Sequence, residues 1–123
     1  FWLVIISDKK IWNQVHDKLL SEQFNLPLPI KYSMHKHGKA SHLAAKLVPD
    51  YEGDGIWAHL GMMYLQLIED THPDQYTELH EQYEVTIEKY GTFLEVFDRD
   101  GKPFKSPVYV ADEGMSWASM FIA

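Results

Sequence analysis

Glu95 lies in an aromatic run, Phe93, Leu94, Glu95, Val96, Phe97, that leads into the turn-forming stretch Asp98, Arg99, Asp100, Gly101. A carboxylate in that setting can take a proton from water. A second acidic pair, Asp112 and Glu113, precedes Trp117, and the stretch Tyr51, Glu52, Gly53, Asp54, Gly55, Ile56, Trp57 puts a glycine-rich loop directly before an indole. Hydrolysis of a glycosidic bond ordinarily takes two flanking carboxyl groups, one protonating the leaving oxygen and one activating water. Only Glu95 is readily assigned. Adjacent acids at a helix start serve first as caps that complement the positive end of the helix dipole. Asp112 and Glu113 would supply the missing carboxyl only if the fold carried them to Glu95.

The seven histidines offer a different chemistry. His35, His37 and His42 fall in one loop, and alternating histidines on an extended segment can converge on a metal, with Asp50, Glu52 or Asp54 completing the ligand set. Their spacing fits no metal-binding pattern, so solvated loop histidines are expected, with no metal and no cofactor. His59 follows Trp57 by two residues and reads as a packing residue on a helix. There is no nucleophile elbow, no phosphate-cradling glycine loop and no His-Glu-x-x-His helix.

The elements that must position these groups are mainly helical. Phe1 to Ile6 is a short apolar run for which a buried helix is preferred over a strand. Ser7 and Asp8 can cap a second helix, in which Ile11, Trp12, Val15, Leu19 and Leu20 recur at helical spacing until Asn25 and the prolines at 27 and 29 stop it. Residues 26–55 read as one long connection with a helical turn near 41–47. Connections of this length are usually functional or disordered, and function is the expectation here. Ile56, Trp57, Leu60, Met63, Tyr64, Leu67 and Ile68 form the strongest amphipathic pattern in the chain. Thr71, His72, Pro73 and Asp74 open a further helix that Gly91 closes, so the pair is a helical hairpin. Thr92 to Val110 predicts a short, irregular β-ribbon, limited by its prolines. A last helix carries Met115, Ala118, Ser119 and Ile122 on one face, with Asp112 as its cap. The fold class expected is all-α: a single domain of antiparallel helical hairpins over residues 1–123, with the ribbon near residues 92–110.

Composition narrows the partners. A chain of 123 residues is one domain's worth, and its 11 Lys and Arg against 18 Asp and Glu give a charge of −7 that repels phosphate backbones. Nucleic acid is not an expected partner. Cysteine is absent, which removes disulfides and thiolate chemistry and leaves the compartment open. No apolar run approaches the ~20 residues that span a bilayer, so no membrane is expected. The first residues carry no initiator methionine, leader or cap, and they read as the interior of a longer chain. Apolar faces left open would then meet either the remainder of that chain or a second copy. A self-associating or protein-binding helical module, using Trp2, Trp12, Met62 and Met63, is the reading from a different class.

Three stretches carry a resemblance: Asp50 to Tyr64 with its Gly53-Asp54-Gly55-Ile56-Trp57 core; Tyr83 to Phe104, including Gly91-Thr92-Phe93-Leu94-Glu95 and Gly101-Lys102-Pro103-Phe104; and Ala111 to Ala118. They resemble the closing hairpins of six-hairpin (α/α)6 glycosidases, the toroids that include glucoamylase-like, trehalase-like and invertase-like families. The N-terminal apolar run, Ser7 to Lys10 and Leu26 to Pro29 resemble the hairpin before them. The resemblance implies a carbohydrate partner, Glu95 as general base, Trp57 as a sugar-stacking platform, and Tyr51, Asp54, Glu113 and Trp117 as further sugar-binding residues. It also implies that the acid stands on an earlier hairpin, which this chain lacks. An isolated chain would bind sugar weakly and not hydrolyse it. Trp57 and Trp117 also share helical spacing with apolar neighbours, and Glu95 could simply face solvent from the ribbon.

Overall fold

A computed structural model of the chain describes residues 9–33, 48, 51, 53–113 and 117–122. The first apolar run, the expected turn at 41–47, and Trp2, His35, His37, His42, Asp50, Glu52 and Met115 lie outside the described residues. Those described are mostly helical, with a small two-stranded antiparallel sheet. Along the chain come α1 (Lys9–Ser21), β1 (Ile56–Trp57), α2 (Ala58–Ile68), α3 (Pro73–Tyr90), β2 (Val96–Phe97) and α4 (Trp117–Ile122).

Helix α1 buries Trp12 and His16, one turn apart, with Leu19 packed against the same core. Ile11 and Val15, expected on the buried face, stand in solvent at 51% and 39% exposure. The polar His16 takes the core position instead, because Tyr64 of α2 offers it a hydrogen-bond partner. The helix ends in a Schellman motif: Phe24 N–H donates to the Leu19 carbonyl and Gln23 N–H to the Leu20 carbonyl, with Gln23 left-handed at φ 57°. A non-glycine residue in that conformation costs about 1 kcal/mol. Gln23→Gly is therefore expected to raise the unfolding free energy by about 0.5–1 kcal/mol, read as a higher urea midpoint at unchanged slope.

Helices α2 and α3 form the expected hairpin. Pro73 occupies the first turn of α3, where a missing N–H costs nothing, and Gly91 closes it at φ 73° with its N–H on the Ile87 carbonyl at 2.7 Å. The cap residue is His72, not Thr71; the Thr71 hydroxyl turns back to the Leu67 carbonyl. Met62, Leu65 and Ile68 of α2 meet Leu79 and Tyr83 of α3 in one core, joined by Phe93 and, from α4, Ala118 and Phe121. Trp12 and Met62 belong to this core and Met63 is half-buried, so they do not form the outward surface expected for self-association.

Two expectations change at the sheet. Ile56 and Trp57 do not begin the helix. They pair antiparallel with Phe97 and Val96, and the helix starts at Ala58. β-Branched and aromatic residues favour a strand where a partner is supplied, and Ile56 becomes fully buried there. The ribbon is likewise reduced: residues 92–97 and 102–110 meet only at the single bridge Phe97↔Pro103, with a second bridge Lys105↔Val110 further out. Pro103 and Pro107 lack the N–H groups that a continuous ladder needs. The long connection is tied at both ends, since Tyr32 N–H donates to the Gly55 carbonyl at 2.9 Å and Trp57 N–H to the Ile30 carbonyl at 3.1 Å.

Candidate functional site around Glu95 and Trp57

Glu95 immediately precedes β2, and its main chain is held from two sides. Its N–H donates to the Asp112 carbonyl and its own carbonyl accepts from Ala58 N–H, each at 2.9 Å. The side chain is half-buried, and Oε2 accepts the Tyr109 hydroxyl at 2.8 Å. No described ion pair involves Glu95. A neutral donor thus orients the carboxylate, and no hydrogen bond among the described residues engages its second oxygen. Tyr109 is a dependable donor: burial, then its hydrogen bonds to Glu95 and Tyr51, push its hydroxyl well above the usual tyrosine range.

From Tyr109 the cluster continues through rings. Tyr51 meets Tyr109 edge-on at 5.1 Å, Phe104 at 5.4 Å and Trp57 at 4.7 Å between centroids. These are the offset, edge-to-face arrangements that aromatic quadrupoles favour. Trp57 is half-buried; its indole N–H donates to the Tyr51 carbonyl at 2.9 Å, and Tyr32 and His59 lie 5.7 and 5.2 Å from its ring. His59 stands in the first turn of α2, edge-on to the Trp57 ring. Burial holds its pKa below the usual histidine value, and the Glu95 carboxylate pulls the other way.

The structure therefore brings Glu95, Trp57 and Tyr51 into one connected cluster. Asp54 is half-buried between paired Gly53 and Gly55 and makes no side-chain hydrogen bond among the described residues. Glu113 is exposed and reaches the site through its main chain, bridged to Leu94. Trp117 opens α4, and its side chain is outside the described residues. Asp112 stands on the same extended segment as Glu113; its carboxylate accepts the Glu113 N–H at 2.8 Å, so it does not cap α4. No hydrogen bond or ion pair among the described residues joins a second carboxyl to Glu95.

Sequence reasoning missed Tyr109, Phe104 and Tyr32. A signal for Tyr109 was present. It alternates with Val108 and Val110, both exposed, and in an extended segment the middle residue then faces inward. Elsewhere, an open groove of about 420 Å³ lined by Leu28, Glu78, Gln82, Thr86 and Gly101 shares no residue with the cluster. Among the described residues no set of three His, Asp or Glu is placed to hold a metal, and no helix is long and apolar enough to cross a membrane.

The chain matches no protein-family model, no curated protein and no solved structure. The site is accordingly read from its own geometry: one carboxylate fixed by a tyrosine, beside a half-buried indole in an aromatic cage. That carboxylate can accept further hydrogen bonds from a donor brought to it. Among the described residues no second carboxyl is hydrogen-bonded or ion-paired to it.

Proposed function

We propose that this chain forms the base-bearing wall of a carbohydrate site, in the manner of the closing hairpins of a six-hairpin (α/α)6 glycosidase. One observation carries the reading. The indole at the end of the glycine-rich loop and the carboxylate before β2, remote in sequence, meet in a single cluster through Tyr51 and Tyr109. In this role Trp57 supports the sugar ring, and Tyr109 fixes one oxygen of Glu95 so that the other faces a hydroxyl or a water. General-base assistance of this kind contributes ~10²–10⁴ in rate where an acid stands opposite. On its own the chain binds and does not hydrolyse, because the second carboxyl of the two-carboxylate mechanism has to come from other helix pairs.

The test uses the Trp57 indole N–H resonance, followed while the chain is titrated with maltose, trehalose and sucrose in turn. Saturable binding with Kd of about 1 mM or weaker, some −4 kcal/mol, is expected for at least one of them. Trp57→Ala, followed through the backbone amide resonances of Tyr51, Glu95 and Tyr109, should abolish it, and Glu95→Gln should weaken it several-fold with the fold intact. The reading fails if none of the sugars moves the resonance at 50-fold the concentration of about 1 mM, or if a Trp57→Ala, Glu95→Gln chain binds as the parent does.

A further inference from the structure

Away from the carbohydrate site, α1 meets the α2–α3 hairpin through a pair of imidazoles. His16 is 2% exposed, and its Nδ1 shares a 3.0 Å hydrogen bond with the hydroxyl of buried Tyr64. Its ring also stacks on His72, the cap residue of α3, with centroids 3.9 Å apart and planes 27° apart. His72 is half-buried, and its Nδ1 lies 2.9 Å from the Thr71 hydroxyl. One turn before His16, Trp12 completes the contact, 6.2 Å from the His16 ring and 6.4 Å from Tyr64. Its indole N–H is buried without an acceptor among the described residues.

Two neutral imidazoles stack favourably at this distance, and two imidazolium ions do not. The surroundings offer little to neutralise them. Tyr64 remains a neutral hydroxyl, its pKa raised to about 12 by burial. Asp17, next on α1, is exposed, as are Glu69 and Asp70 in the turn that leads to His72. None of these carboxylates forms an ion pair with either histidine. The contact therefore excludes protons in a pH range where an undocked histidine accepts them.

We propose that the His16–His72 stack is an acid-sensitive release for α1, which frees that helix from the α2–α3 hairpin as the pH falls below the ordinary histidine range. The sign follows from linkage. Burial first, then His72, hold the His16 pKa below its usual 6.5, with Asp17 opposing. The docked state thus binds fewer protons than the undocked state. Docking is fully favourable above pH 6.5, the ordinary histidine value, and weakens as pH falls from there toward the lowered value of the docked ring. Trp12 leaves with the helix.

The experiment is a pH titration of the full chain from about 7.5 to 5.0, bracketing the free-histidine value, read from the Trp12 indole and the α1 and α3 amide resonances. The undocked fraction of α1 should rise about tenfold or more, while α3 keeps its native shifts. His72→Gln removes the imidazole that, after burial, holds the His16 pKa down, so its release should be centred at lower pH. His16→Gln should remove the response; if that chain does not fold, the His72→Gln comparison decides alone. The proposal is overturned if α1 stays docked across the range, if α1 and α3 are lost together, or if His72→Gln releases with the parent's midpoint. Equal destabilisation by His72→Gln at both ends of the range would reduce the stack to a packing contact and would also overturn it.

Discussion

Replacing Gly61 with alanine is expected to lower the unfolding free energy by about 3 kcal/mol, although alanine is the better helix former by about 1 kcal/mol. Gly61 lies inside α2, where a methyl group would fall on the Tyr83 hydroxyl and the Pro29 carbonyl. These two atoms are already hydrogen-bonded to each other in a fully buried position. The tyrosine tip could yield, but the carbonyl belongs to the main chain, and moving it would lift residues 29–31 away from β1. Overpacking costs ~1–3 kcal/mol, and leaving a buried donor and acceptor unpaired costs ~1–3 kcal/mol more. The gain in helix propensity offsets only part of this. A fall in Tm of roughly 10 °C should follow. Gly61→Ala should cost less when Tyr83 is already phenylalanine, because the colliding oxygen is gone; additive losses in that double-mutant cycle would show that the clash is not the cause.

Phe97→Ala should be at least as damaging, at about 3–5 kcal/mol. Phe97 is 2% exposed, pairs across the sheet with fully buried Ile56 and packs near Tyr90 at 6.4 Å. Its removal empties the junction between strands and helices and loosens the two-residue pairing that carries Trp57 and Glu95. The effect should therefore be twofold: a lower urea midpoint, and a disturbed Trp57 indole resonance even in conditions where the chain stays folded. A loss below about 1 kcal/mol, within the range of ordinary surface substitutions, would show that the pairing is held by its neighbours instead.

Helices α2 and α3 were legible because long apolar periodicity, a proline at the first turn and a glycine at the end all agree on one answer. Ile56 and Trp57 were misread because a short apolar pair carries no period of its own, and its strand partner lies about forty residues downstream. His16 was invisible as a core residue for the same kind of reason: its partner Tyr64 is 48 positions away, and the apolar pattern pointed to Val15. At the site, the glycine-rich loop ending in Trp57 and the carboxylate in its aromatic run stood out by composition. The tyrosine that joins them did not, since only the path of residues 103–112 back across the strands brings Tyr109 to Glu95. As sugar-binding residues, Asp54 and Glu113 enter through the resemblance alone, and no hydrogen bond or ion pair among the described residues joins their side chains to the cluster.

The peptide unit at Glu95 is anchored by Ala58 on one side and Asp112 on the other, and neither bond uses the carboxylate. Position 95 is in effect a socket: its main-chain anchors do not depend on what the side chain carries, while the side chain itself is keyed to Tyr109. A replacement that keeps the shape and an acceptor oxygen, as glutamine does, can be seated there without refolding the neighbourhood, which makes it a natural place to install an isotopic reporter.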